Sequence, residues 1–160
     1  MRLWKAGIVL PVLGLAVMWA QVSPAGPPPS SIATSDPEII GQGSRLFAKN
    51  CSPCHGKGAV GENPATPMGG FKTGAGDLAP ALNGTGHAWH HPPAYFFRTI
   101  RNGSTLTFQV GQKAMRSRML GWAGRMSDYE ILSVIAYFQS LWPEHIKQGY
   151  RQRYLHKVFD

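Results

Sequence analysis

Cys51, Cys54 and His55, in the run Cys51-Ser52-Pro53-Cys54-His55-Gly56, carry the most specific chemistry that residue type and spacing suggest in this chain. Two thiols three positions apart lie on one side of a single helical turn, and an imidazole follows at once. Both sulfurs can then add to the two vinyl groups on one edge of a porphyrin while the imidazole meets the iron, which is the pattern of covalent haem c attachment. The 160 residues hold no other cysteine, so both are used. Two other uses of a Cys-x-x-Cys pair fit less well. A thioredoxin-type redox pair follows a strand in a βαβ context, whereas residues 41–50 are helix-like and a Gly-rich loop comes next. A structural zinc site needs two more ligands at matched spacing, and there is no second pair.

A haem that only carries electrons needs a sixth ligand that holds in both oxidation states. The candidates are Met68, Met115, Met119, Met126 and the five histidines other than His55. Met119 is assigned here. It lies in an irregular segment before the last strong helix, far enough along the chain to reach the opposite face of the ring. Gly121 and Gly124 permit close approach there, and Trp122 can cover the haem. A thioether is soft and uncharged, favours ferrous iron and raises the reduction potential. Met115 is the next candidate, Met126 reads as a core contact, and Met68 sits in a loop. The bland alternative for Met119 is core filler, the commonest use of methionine.

These residues need elements to hold them. Asp36-Pro37 gives an N-cap and a first-turn proline, and the helix they start runs through Ile39, Ile40, Leu46 and Phe47 into Cys51. Gly43 lies on the face of Phe47, where a small residue lets another helix come close. Residues 57–78 read as a long loop. Pro92-Pro93 opens a helix through Tyr95, Phe96, Phe97 and Ile100 that Asn102-Gly103 ends. Residues 103–118 are irregular again, with Thr105 to Val110 as a small extended piece. Ser127-Asp128-Tyr129-Glu130 is a capping box, followed at helical spacing by Ile131, Val134, Ile135, Phe138 and Trp142 and stopped by Pro143. The fold class is all-α with long loops. Loops of that length in so small a domain require something else to fill the core, and a haem does so.

The start of the chain reads as a leader. Met1, Arg2 and Lys5 precede an apolar run from Ala6 to Ala20, and Ser23-Pro24-Ala25 offers small residues for cleavage. An uncleaved single-helix anchor is the alternative, although the run is short for a span of about 20 residues and contains Pro11 and Gly14. Either way the haem domain is expected outside the cytoplasm, in the periplasm, soluble or tethered to the outer face of the membrane. The organisation is therefore 1–25 leader, 26–36 Pro-rich linker, 37–143 haem domain and 144–160 basic tail with room for a short helix. The formal net charge of +8 falls to +6 without Arg2 and Lys5. From Leu78 to Ser127 there is no carboxylate, but Arg98, Arg101, Lys113, Arg116, Arg118 and Arg125 lie there. The aromatic residues follow no nucleic-acid-binding motif. An exported basic face suits an acidic redox partner or an anionic membrane, while a solvated surface is the plain alternative.

Taken together these motifs resemble class I monohaem cytochrome c over about residues 37–143. Gly43-x-x-x-Phe47-x-x-x-Cys51-x-x-Cys54-His55-Gly56 is similar to that family's first helix and haem site. Ala79-Pro80-Ala81-Leu82-Asn83-Gly84 resembles the turn beside its proximal histidine, and Met119-x-x-Trp122 with Val134-Ile135-Ala136-Tyr137-Phe138 resembles its methionine loop and last helix. The resemblance implies that Pro80 gives a backbone carbonyl to the His55 ring N–H, that Leu82 packs on the haem, and that the first and last helices cross near Gly43 with Phe47 and Tyr137 in contact. Two departures stand out. Leu120 occupies a position where the family most often has proline, implying a looser methionine loop, and the 57–78 loop is longer than in its smallest members.

Gly86-His87-Ala88-Trp89-His90-His91-Pro92 is not a general feature of that family. Trp89, with one histidine, is a candidate donor to a haem propionate; His87, His90 and His91 are candidate ligands for a second metal, copper or zinc; a docking or proton-coupled role is the third reading. His145 and His156 look like surface residues. The function expected is single-electron transfer by one covalent haem c ligated by His55 and Met119, in a monomer or a subunit of a redox complex. A peroxide-type haem enzyme would need an open sixth site and a distal acid–base residue.

Overall fold

The computed structural model describes residues 35–72, 76–104, 107–110 and 113–154. The expected leader, most of the Pro-rich linker and His156 lie outside the described residues. Helix α1, Pro37–Asn50, begins as its cap dictates: the Asp36 carboxylate accepts the Glu38 N–H at 2.9 Å and that of Ile39 at 3.5 Å. The chain turns straight into α2, Ser52–His55, so the two cysteines and the histidine occupy one short turn at the end of α1. Helix α3, Pro93–Asn102, ends at Gly103 with φ 81°, a backbone state that glycine tolerates. Helix α4, Asp128–Ser140, carries the full capping box: Ser127 Oγ accepts the Glu130 N–H at 3.2 Å, and the Glu130 carboxylate accepts the Ser127 N–H at 2.8 Å.

Helices α1 and α4 form the main packing layer. A Cβ placed on Gly43 would lie 1.9 Å from the Ser133 carbonyl oxygen, so the two backbones meet where α1 has no side chain. The Phe47 and Tyr137 rings flank that crossing with centroids 5.3 Å apart. Helix α3 packs on α4 through Phe96 and Phe138, 5.3 Å apart and edge to face. Phe47, Ile131, Val134 and Phe138 form the most deeply buried part of this core.

The domain is mainly helical, as the hydrophobic spacing implied, and the long loops are more ordered than their composition suggested. The first contains a short antiparallel hairpin of β1, Gly70–Lys72, and β2, Gly76–Leu78, with Gly70 opposite Leu78. The second contains β3, Thr107–Val110, and β4, Lys113–Arg116, with Thr107 opposite Arg116. Strand β3 falls within the extended piece read over 105–110, while the first ribbon carries too little apolar alternation to register in the sequence.

The segment after Pro143 is not a loose tail. Residues Glu144–Tyr154 form α5, which folds back on the domain. Tyr150 is buried edge-on against Trp142 with centroids 4.9 Å apart, and the Tyr154 hydroxyl donates to the His90 carbonyl at 2.5 Å. No helix among the described residues is long and apolar enough to cross a membrane.

Candidate haem site

The Cys51–His55 turn is held from both sides. Upstream, the Cys51 N–H bonds to the Phe47 carbonyl at 2.9 Å, continuing the α1 ladder into the motif. Downstream, Gly56 at φ 74° reverses the chain, and the Gly61 N–H returns to the His55 carbonyl at 2.8 Å. Ala59, fully buried and itself at φ 59°, offers its carbonyl to the N–H groups of Leu82 and Asn83 at 2.8 and 3.2 Å. Those bonds lash the 79–84 turn to the loop after the motif.

His55 is the central side chain. It is 8 % exposed, and its Nδ1 lies 2.9 Å from the Pro80 carbonyl oxygen. A carbonyl only accepts, so Nδ1 carries the proton and Nε2 is left with its lone pair, as a metal ligand must be. Burial lowers the imidazole pKa from its ordinary value, while the Pro80 carbonyl and the Glu62 carboxylate act in the other direction. The net effect favours the neutral, ligating form.

Neither cysteine is in a disulfide; Cys51 is half-buried and Cys54 exposed. Burial, and then the neighbouring Cys54, push the Cys51 thiol up to about 11. A redox-active pair depends on the opposite shift, toward an accessible thiolate. The donor set fits a haem: two unpaired thiols on one turn, then a buried imidazole with a single nitrogen open.

The Met119 segment is pinned to the end of α3. The Trp122 N–H reaches the Ile100 and Arg101 carbonyls, both at 3.0 Å, and the Ala123 N–H reaches Arg101 at 2.8 Å, filling acceptors that a helix end leaves open. A Cβ on Gly121 would lie 2.7 Å from the Asn102 carbonyl carbon, so the bareness of Gly121 serves this approach to α3. Cys51, Leu82 and the Met119–Trp122 pair come from three separate stretches of the sequence and pack against one core cluster. Arg125 lies over the Trp122 ring at 5.7 Å, Leu120 is 64 % exposed, Met126 is buried in the core, and Met68 is exposed. The side chain of Met115 lies outside the described residues.

In the His87–His91 run the rings turn mainly to aromatic neighbours. Among the described residues no group of three or more histidine, cysteine, aspartate or glutamate side chains is gathered to hold a metal ion. His90 stacks on Trp89 at 3.7 Å and His91 on Tyr95 at 4.1 Å, while His87 meets His91 edge-on at 5.4 Å, so the rings turn to aromatic partners instead of converging. The Trp89 indole N–H donates to the Gly86 carbonyl at 3.0 Å.

Sequence reasoning overlooked the links that three side chains make in this region. Trp142 donates its indole N–H to the Leu82 carbonyl at 2.7 Å, tying the end of α4 to the 79–84 turn. Arg118 contacts Glu62 at 2.7 Å and Asp77 at 3.4 Å, and Arg101 contacts Asp128 at 3.2 Å. Two of the six cations assigned to an open basic face are thus engaged within the domain.

The comparison with known families turns on the same stretch. A family model described as cytochrome c oxidase, cbb3-type, subunit III matches residues 39–138, from α1 through the Cys51–His55 turn to the core of α4. The chain belongs to this cytochrome c family. It is a c-type cytochrome with covalently bound haem c, and the haem gives it a role in electron transfer.

Proposed function

We propose that this cytochrome is a class I monohaem electron carrier in which His55 and Met119 take the two axial positions and Cys51 and Cys54 hold the ring. The observation that carries the reading is the 2.9 Å contact between His55 Nδ1 and the Pro80 carbonyl, which fixes both the tautomer and the plane of the imidazole. A bound haem c supplies a reversible one-electron ferric/ferrous couple. The chain's own part is to hold that couple rigidly: Pro80 orients His55, the end of α3 positions Met119, and Leu82 and Trp122 supply apolar cover. The protein makes and breaks no bonds in a substrate. The leader at 1–25 exports the haem domain, or tethers it to the outer face of the membrane.

Partners are redox proteins with acidic surfaces, met briefly and steered by charge. Exposed Arg98 and Arg125 are the described cations of the 78–127 stretch outside the ion pairs above, so they lead that steering. A second reading has a specific basis. The matched family takes its description from an oxidase subunit, so a permanently held haem c subunit of a larger oxidoreductase is the other form this chain can take.

Absorption spectra with and without reductant, on wild type and Met119→Ala, test the ligand set. The wild type should show a low-spin spectrum with a sulfur–iron charge-transfer band. The variant should lose that band and keep its covalent haem. Retention of the band in Met119→Ala would remove Met119 from the iron. Sedimentation of protein extracted from its native host separates the two forms: a free monomer that exchanges electrons marks the carrier, a stable large complex the subunit.

A further inference from the structure

Asp77, at the heart of β2, is bound to the segment that carries Met119. One carboxylate oxygen accepts the Ser117 hydroxyl at 2.7 Å, and the other accepts the Arg118 backbone N–H at 3.0 Å and its Nε–H at 3.4 Å. The Asp77 carbonyl takes the guanidinium as well, from Nε at 3.0 Å and from Nη2. Ser117 Oγ in turn accepts the Met119 N–H at 3.4 Å. The far end of Arg118 reaches Glu62, whose Oε2 also accepts the Ala79 N–H at 3.2 Å. One residue beyond Ala79, the Pro80 carbonyl meets His55. Residues 77–80 therefore hold His55 by main chain and the Met119 segment by side chain.

We propose that Asp77 is a positioning residue for the sixth ligand, fixing the Met119 segment relative to the backbone that orients His55. The inference rests on Met119 as the ligand, as argued above. A neutral thioether has no charge to draw it to iron, so its retention depends on how firmly its loop is held. That loop lacks the stiffening of a proline, having Leu120 instead. The Asp77 side chain is only 18 % exposed and receives three donors, which sets it apart from a solvated surface ion pair.

The test uses the full-length holoprotein: wild type, Asp77→Asn, Ser117→Ala and Met119→Ala, each titrated with imidazole as a competing ligand in the ferric state. Asp77→Asn should keep its covalent haem and helical circular dichroism, weaken the sulfur–iron band, and bind imidazole about tenfold more tightly, the scale typical when a residue supporting a metal ligand is changed. Ser117→Ala should shift in the same direction, by up to about tenfold, on loss of the charge-assisted bond to Asp77 and of the acceptor for the Met119 N–H. Wild-type imidazole affinity in Asp77→Asn overturns the proposal, and if that variant fails to fold, wild-type affinity in Ser117→Ala does the same. Should Met119→Ala keep the sulfur–iron band, the ligand reading and this inference fall together. With that band lost in Met119→Ala but unchanged imidazole binding in Asp77→Asn, the inference alone fails.

Discussion

Two glycines in one helix should respond to the same substitution with opposite signs. A methyl group at Gly41 would find only the Arg45 guanidinium, at 3.7 Å, an ordinary contact. Gly41→Ala should therefore stabilise the protein by up to about 1 kcal/mol, the difference in helix propensity. Two residues on, the new Cβ of Gly43→Ala would sit 1.9 Å from the Ser133 carbonyl oxygen and 2.5 Å from its carbon. Real Cβ contacts do not fall below 3.0 Å, so α1 and α4 must separate by about 1 Å. A gap of that size forfeits roughly a quarter to a half of each dispersion contact across the seam. Overpacking of a tight core costs about 1–3 kcal/mol in addition. Against the propensity gain, the net expectation is a loss of about 3 kcal/mol, or about 12 °C in Tm at roughly 4 °C per kcal/mol. Guanidinium chloride unfolding of the holoprotein, followed by tryptophan fluorescence, measures both variants. If Gly43→Ala matched Gly41→Ala within about 0.5 kcal/mol, the helix crossing described here would be wrong.

Trp142→Phe preserves most of the ring packing but strips the Leu82 carbonyl of its 2.7 Å donor. It should cost about 2 kcal/mol in the denaturation midpoint, the scale of a buried acceptor left unpaired, and a change under about 0.5 kcal/mol would discount the tie. Burial, then the charges of His87 and His90, hold the His91 imidazole pKa below its ordinary 6.5. The folded state then binds fewer protons than the unfolded state just below pH 6.5, so stability should fall as the pH drops through that value. Stability against pH for wild type and His91→Gln checks this: the variant should lose part of the slope, and parallel curves would acquit His91.

What the sequence disclosed was whatever local chemistry dictates. Asp36-Pro37 and Ser127-x-x-Glu130 announce helix starts because a cap must sit beside the N–H groups it satisfies. Gly43 and Phe47, four apart, mark a shared face, and Cys51-x-x-Cys54-His55 is legible because a porphyrin edge sets its spacing. The short helix allowed for the basic tail is α5, but its packing was harder to see: Ile146, Tyr150 and Tyr154 repeat every four residues, an apolar stripe obscured by the lysine and arginines between them. The Asp77–Arg118 and Trp142–Leu82 links join residues 41 and 60 positions apart, and no local pattern encodes such pairs. Composition left the histidine run open between several roles, because the choice between coordination and stacking depends on where Trp89 and Tyr95 place their rings.

The rings of Phe96, Phe138, Trp142, Tyr150 and Tyr154 touch in sequence, each centroid between 4.8 and 6.2 Å from the next. An eleven-residue helix is too short to persist unaided in water, so α5 exists by leaning on that file of rings. The dependence also runs backward. Until residues 142–154 have been synthesised, one side of Trp142 stays wet and the domain is unfinished. Shortening the protein at Pro143 would therefore leave a raw hydrophobic scar on its flank rather than a trimmed domain.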